Sequence, residues 1–153
     1  VNGTHFVWQL IKIVCGFVLA VIACGLFLSW GLFQPGHPDL DPVAFAAMIW
    51  TGFVTASAVG AAAFVPALAV ILISEAGRFS GFIFHVAAGG AIAFVLWAVE
   101  GAGGAAIRPG SPVALAAGFI AGGVYWLVAG RTAGHWHRQR PSEPVGNDRD
   151  EAL

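Results

Sequence analysis

The chain encodes an all-α integral membrane protein: a four-helix bundle followed by a disordered cytoplasmic tail. Three observations point there. Of its 153 residues, 58% are hydrophobic and 10% are charged, whereas soluble domains carry about a quarter charged. The charges are also clustered, at Lys12, at Asp39 and Asp41, at Glu75 and Arg78, at Glu100 and Arg108, and in a dense run from Arg131. Each apolar interval between clusters can cross a bilayer, which takes roughly 20 residues of helix for a core about 30 Å thick. A membrane domain is expected over residues 1–134 and a polar tail over 135–153.

The first span is expected at about 11–33. It ends in Trp30 and not in a small-residue cleavage site, so it reads as a retained span. Trp8 and Trp30 are separated by roughly 33 Å of helix, the distance between aromatic belts at opposite interfaces. Lys12 can snorkel to the headgroups at the first belt. Cys15 and Cys24 lie on opposite faces, about 180° apart, and read as small buried hydrophobes.

"QPGHPDLDP" (34–42) is a helix-breaking loop, with Asp41 as N-cap and Pro42 as first helical residue of the second span. That span, at about 42–74, is longer than a bilayer core requires. Pro66 cannot donate to the Ala62 carbonyl, which predicts a bend between them. Glu75 to Ser80 form a turn around Gly77. The third span is expected at about 80–99, "EGAGGAAIRPGSP" (100–112) is a second loop, and the fourth span is expected at about 112–130. The residues beyond Arg140 are too polar to form a core.

Lys12, Arg78, Arg131, Arg138 and Arg140 fall on one side of this topology and Arg108 on the other. The positive-inside rule then places both termini in the cytoplasm. Two rows of small residues are spaced for close helix contact: Gly52, Ala56 and Gly60 on span two, and Ala114, Gly118 and Gly122 on span four. Packing within the monomer is the first reading of these rows, and an oligomer interface the second.

Few residues carry chemistry. Glu75 and Arg78, three apart, are within reach on a helical turn and read as an exposed cytoplasmic ion pair. His85 lies roughly 10 Å deeper than Arg78. A charged imidazole there is costly, so the ring is expected to be neutral and to need a hydrogen-bond partner. Tyr125 is the polar residue at the same depth on span four. A structural His85–Tyr125 hydrogen bond is the first expectation, and a proton or substrate contact the second. Trp136 with Arg131, Arg138 and Arg140 reads as a headgroup anchor, not as a metal site built on His135 and His137.

The sequence holds no CxxC, HExxH, GxSxG or Walker loop, the motifs of thiol–disulfide, zinc-hydrolase, serine-hydrolase and nucleotide chemistry. No acidic residue lies in the middle of a span, unlike the small multidrug transporters. A net charge of −1 gives no reason to expect nucleic acid as a partner.

"GFIAGGVYWLVAGRTAG" (118–134) resembles the end of a group of short four-helix bacterial inner-membrane proteins that share YWLxAGRxAG. The resemblance implies four spans and a bacterial inner membrane, and implies no activity. The expected function is that of a non-enzymatic scaffold or accessory subunit without cofactor. Its partners would be the bilayer and a second copy or another membrane protein. An oligomeric transporter or channel for a small solute or ion is the alternative.

Overall fold

The computed structural model describes residues 3–33, 41–100 and 110–132. Four helices make up nearly all of it: α1 (Gly3–Phe33), α2 (Pro42–Gly77), α3 (Phe82–Glu100) and α4 (Ser111–Val128), followed by a short 3-10 turn at Gly130–Thr132. Among the described residues there is no strand. All four helices are long and apolar enough to cross a membrane, and the chain is a multi-pass membrane protein. The two loops at 34–40 and 101–109, and the tail from 133 with Trp136, Arg138 and Arg140, lie outside the described residues.

The helix limits differ from the expected ones for local reasons. α1 starts at Gly3, ahead of the expected 11, because nothing between Thr4 and Leu10 breaks a helix. α2 is continuous over 36 residues, roughly 54 Å. It opens as the Asp41–Pro42 pair predicts: the Ala44 backbone N–H donates to Asp41 Oδ1 at 2.9 Å, and Pro42 takes the first turn, where no donor is needed. Pro66 lies inside it and leaves the Ala62 carbonyl without its helical donor.

α2 runs past Ser74 to include Glu75 and Gly77. Arg78, not Gly77, takes the left-handed position at its end, with φ 56°. The Arg78 backbone N–H donates to the Ser74 carbonyl, as does that of Phe79 at 2.9 Å, so the last turn is closed. A left-handed residue with a Cβ costs roughly 1 kcal/mol or somewhat more. Arg78→Gly is therefore expected to raise stability by about 1 kcal/mol, read as a higher melting temperature in detergent; a lower one would contradict the strained assignment. α4 begins after Gly110, which has φ 95° and lies under the Trp97 ring. A larger residue there would meet both the backbone penalty and the indole.

The helices pack in the order α2–α1–α4–α3. The α1–α2, α1–α4 and α3–α4 seams are extensive, while α2 and α3 touch only thinly. Small residues set the three close seams. A Cβ on Gly25 of α1 would strike the Gly52 carbonyl and the Ala56 backbone of α2. One on Gly16 would sit 3.2 Å from Ala129 Cβ and 3.3 Å from the Tyr125 ring. Gly89 of α3 meets the Gly118 and Gly122 backbone of α4 in the same way. Close backbone approach gains dispersion contacts where lipid supplies no hydrophobic drive between helices.

Three contacts bring the start of α1, the α2–α3 turn and the end of α4 to one end of the bundle. They are Gln9 with Glu75, Trp126 with the Ser80 carbonyl, and Gly16 with Tyr125 and Ala129.

Candidate functional site

Polar side chains from all four helices gather at that end. Gln9 of α1 is buried, and its Nε2 donates to Glu75 Oε1 of α2 at 2.8 Å. Glu75 is half-buried and lies within electrostatic range of Tyr125 on α4. His85 of α3 is 3% exposed, and its ring stacks on that of Tyr125, with centroids 5.7 Å apart and planes 27° apart. Ser74 is also buried, but its hydroxyl donates to the Ile71 carbonyl of its own helix at 2.8 Å, a local bond that satisfies it without a tertiary partner.

The expected residues are therefore placed as follows. Glu75 and Arg78 do not come together: the Glu75 carboxylate faces Gln9, and Arg78 is exposed beyond the helix end. The extra helical turn carries Glu75 onto the face of α2 that meets α1 and leaves Arg78 past the cap. His85 and Tyr125 do meet, as stacked rings. The imidazole hydrogen bond runs locally, with Nδ1 3.0 Å from the Gly81 carbonyl. A side chain on a helix leans toward its N-terminus, which brings the His85 ring within reach of the carbonyl one turn back.

Gln9 was not singled out in the sequence. Its one signal is a lone amide one turn before Lys12, just ahead of the expected start of the first span. Its removal has a defined cost. Gln9→Leu is expected to lose about 1–2 kcal/mol, because a half-buried carboxylate then loses a donor. In a double-mutant cycle with Glu75→Ala the two losses should be non-additive by about 1 kcal/mol. Additive losses in detergent unfolding would contradict the contact.

Of the small-residue rows, Gly52 and Ala56 face α1, and Gly60 lies against Val21 of the same helix. Gly118 and Gly122 face α3 at Gly89, Ala93, His85 and Val86, while Ala114 is half-buried. Gly52, Ala56, Gly60, Gly118 and Gly122 thus make helix contacts within the monomer.

Of the expected anchor, only Arg131 is described. Its guanidinium stands over the Trp126 ring, 5.6 Å from the centroid, and the Trp126 Nε1–H donates to the Ser80 carbonyl at 2.8 Å. Lys12 stands similarly over Trp8 at 5.9 Å. Both are cation–π pairs between a basic side chain and an indole.

Above the polar end lies a partly open cleft of about 110 Å³. All four helices line it, with Ala20 and Cys24 from α1, Ala63 and Ile71 from α2, and Ile92 from α3 among the apolar walls; His85 and Tyr125 also line it. Among the described residues, no three of His, Cys, Asp and Glu gather as metal ligands would.

The fold and these groups define a four-span helical membrane protein with a polar cluster at one end and an apolar interior. No family model, curated protein or solved structure matches the chain.

Proposed function

We propose that this chain is a non-enzymatic scaffold or accessory subunit of a membrane complex, seated in a bacterial inner membrane with both termini in the cytoplasm. The observation that carries the reading is the chemistry of the interior. The walls of the central cavity are mostly apolar, and among the described residues the polar side chains that gather from all four helices, Gln9, Glu75, His85 and Tyr125, lie at one end. A solute path or a reaction centre needs polar groups along its depth.

The arrangement also supports attachment to a partner. α2 is an edge helix packed mainly on α1, and its outward side carries Trp50, Val54, Val65 and Leu72, all more than half exposed. Residues of that size can fill a helix–helix seam with a second copy or another membrane protein. Photocrosslinkers placed at Val65 and Leu72 in intact membranes test this. A discrete adduct from α2 that is absent from a control site at Leu127 on α4 supports the subunit role, and lipid adducts alone would count against it.

The orientation rests on Lys12, Arg78 and Arg131, which share one end of the bundle, and on the YWLxAGRxAG resemblance for the compartment. A reporter active only outside the cytoplasm should be silent when fused after Leu153 and active when inserted near Gly104. The opposite pattern would overturn the orientation.

A second reading, an oligomeric transporter or channel for a small solute or ion, is favoured by the Gln9–Glu75 and His85–Tyr125 groups at the cavity end. It predicts flux in proteoliposomes of the purified protein that is lost in His85→Phe. The subunit reading predicts none above empty vesicles.

A further inference from the structure

Two features of the α2–α3 seam are not accounted for by helix packing. The first is Arg78. It ends α2 in the left-handed region, with φ 56°, where glycine is the usual residue and a Cβ carries a penalty. The nearby carboxylate, Glu75, is turned to Gln9, and Arg78 stays exposed. Strained backbone of this kind collects at ligand clamps and active sites.

The second is the cleft. α2 and α3 follow one another through a short turn, yet their seam is thin, while the other three seams are closed by extensive contact. Val70 and Ile71 line the cleft from α2, and Ala88 and Ile92 line it from α3. Its open side therefore faces the bilayer between these two helices.

Size, depth and charge together describe an occupant. A dry cavity of about 150 Å³ admits benzene, so a cleft of about 110 Å³ admits a few methylenes of a chain that continues out through the opening. Its mostly apolar walls suit hydrocarbon better than water, which takes two to four polar partners when buried. Val70 and Ile71 lie roughly 10 Å along α2 from Arg78. The interfacial layer above the hydrocarbon is roughly 5–8 Å deep on each side of a bilayer. A lipid with its phosphate at Arg78 thus has its first methylenes at the cleft. Among the described residues this end carries Lys12, Arg78 and Arg131 against the single carboxylate of Glu75. An anionic head is drawn to that field, whereas a zwitterionic one brings its own cation beside the guanidinium.

We infer that the α2–α3 opening is a binding site for an anionic glycerophospholipid, with its phosphate on Arg78 and one acyl chain in the cleft. The site goes beyond the subunit reading and does not depend on it.

The test uses the purified full chain in phosphatidylcholine nanodiscs doped with phosphatidylglycerol that carries a diazirine on one acyl chain. After illumination, adducts mapped by mass spectrometry are expected at Val70, Ile71, Ala88 and Ile92. At equal mole fraction this probe should give about fivefold more cleft adducts than the matching phosphatidylcholine probe, the worth of one basic residue facing an anionic lipid. Arg78→Gly should remove the difference without lowering the melting temperature, and Arg78→Lys should keep most of it. Ala67→Leu, which fills the cleft from α2, should remove the cleft adducts of both probes and spare those on exposed Leu68. Ala88→Leu makes the same test from α3 should the first variant fail to fold. Adducts spread evenly over cleft and exposed positions would overturn the site. Equal labelling by the two probes, an unchanged difference in Arg78→Gly, or competition by water-soluble glycerol phosphate would overturn the headgroup contact.

Discussion

Gly122→Leu is expected to prevent α3 and α4 from docking, with a loss of about 3 kcal/mol or more. Gly122 is buried, and a Cβ there would meet the His85 carbonyl and approach Val86 Cα to 2.9 Å. Those atoms are backbone and cannot rotate away, so the helices must separate. Separation surrenders the dispersion contacts that hold spans together in lipid, and overpacking alone costs about 1–3 kcal/mol where side chains can adjust. The neighbouring Gly123 is the control, because a Cβ there would find its nearest atoms at 3.8 Å and 4.0 Å, both in side chains. Gly123→Ala should be neutral or stabilising by up to about 1 kcal/mol, since alanine is the better helix former. Unfolding in a denaturing detergent titration gives both numbers, and equal behaviour of the two variants would refute the seam.

Gly25→Leu should release α2 from the bundle while leaving the other three helices together. The new side chain meets the Gly52 carbonyl and the Ala56 backbone. α2 has no other extensive seam, because its contact with α3 is thin. The expected loss is about 2–3 kcal/mol, concentrated in one helix. Spin labels on exposed Val14 and Leu72 would show a broadened α1–α2 distance distribution. A pair on exposed Ile83 and Leu127 should keep a narrow α3–α4 distribution. Broadening of both pairs would mean that the bundle unfolds as one unit.

The existence and order of the four helices were legible because spans depend on length, hydropathy and breakers, all of which are local. Asp41–Pro42 marked the start of α2 for the same reason. The arrangement of the helices was harder to read. Gly52, Ala56 and Gly118–Gly122 are spaced by four and stood out as rows, but their partners are single glycines with no such pattern. Gly16 and Gly25 are half a turn out of phase, about 180° apart on the helix. That phase carried information: one faces α4 and the other α2, so α1 must lie between them.

At the polar end, depth counting brought His85 to the level of Tyr125 but could not say how two rings would meet. Stacking, with the imidazole bond going to Gly81, satisfies the ring locally. A sequence offers no way to rank that bond against an interhelical one. The Glu75–Arg78 pairing rested on a helix ending near Ser74, with Glu75 to Ser80 as a turn around Gly77. The helix instead closes with Arg78 in the left-handed position, which points Glu75 inward to Gln9.

The central claim is that this chain works as one subunit among others, with α2 as the edge that meets a partner. Native mass measurement of the protein extracted in mild detergent at its natural abundance tests it most directly. The account predicts a discrete assembly of fixed stoichiometry containing this chain, reduced to monomer when Val65 and Leu72 are both changed to alanine. A monodisperse monomer from unaltered membranes would contradict it.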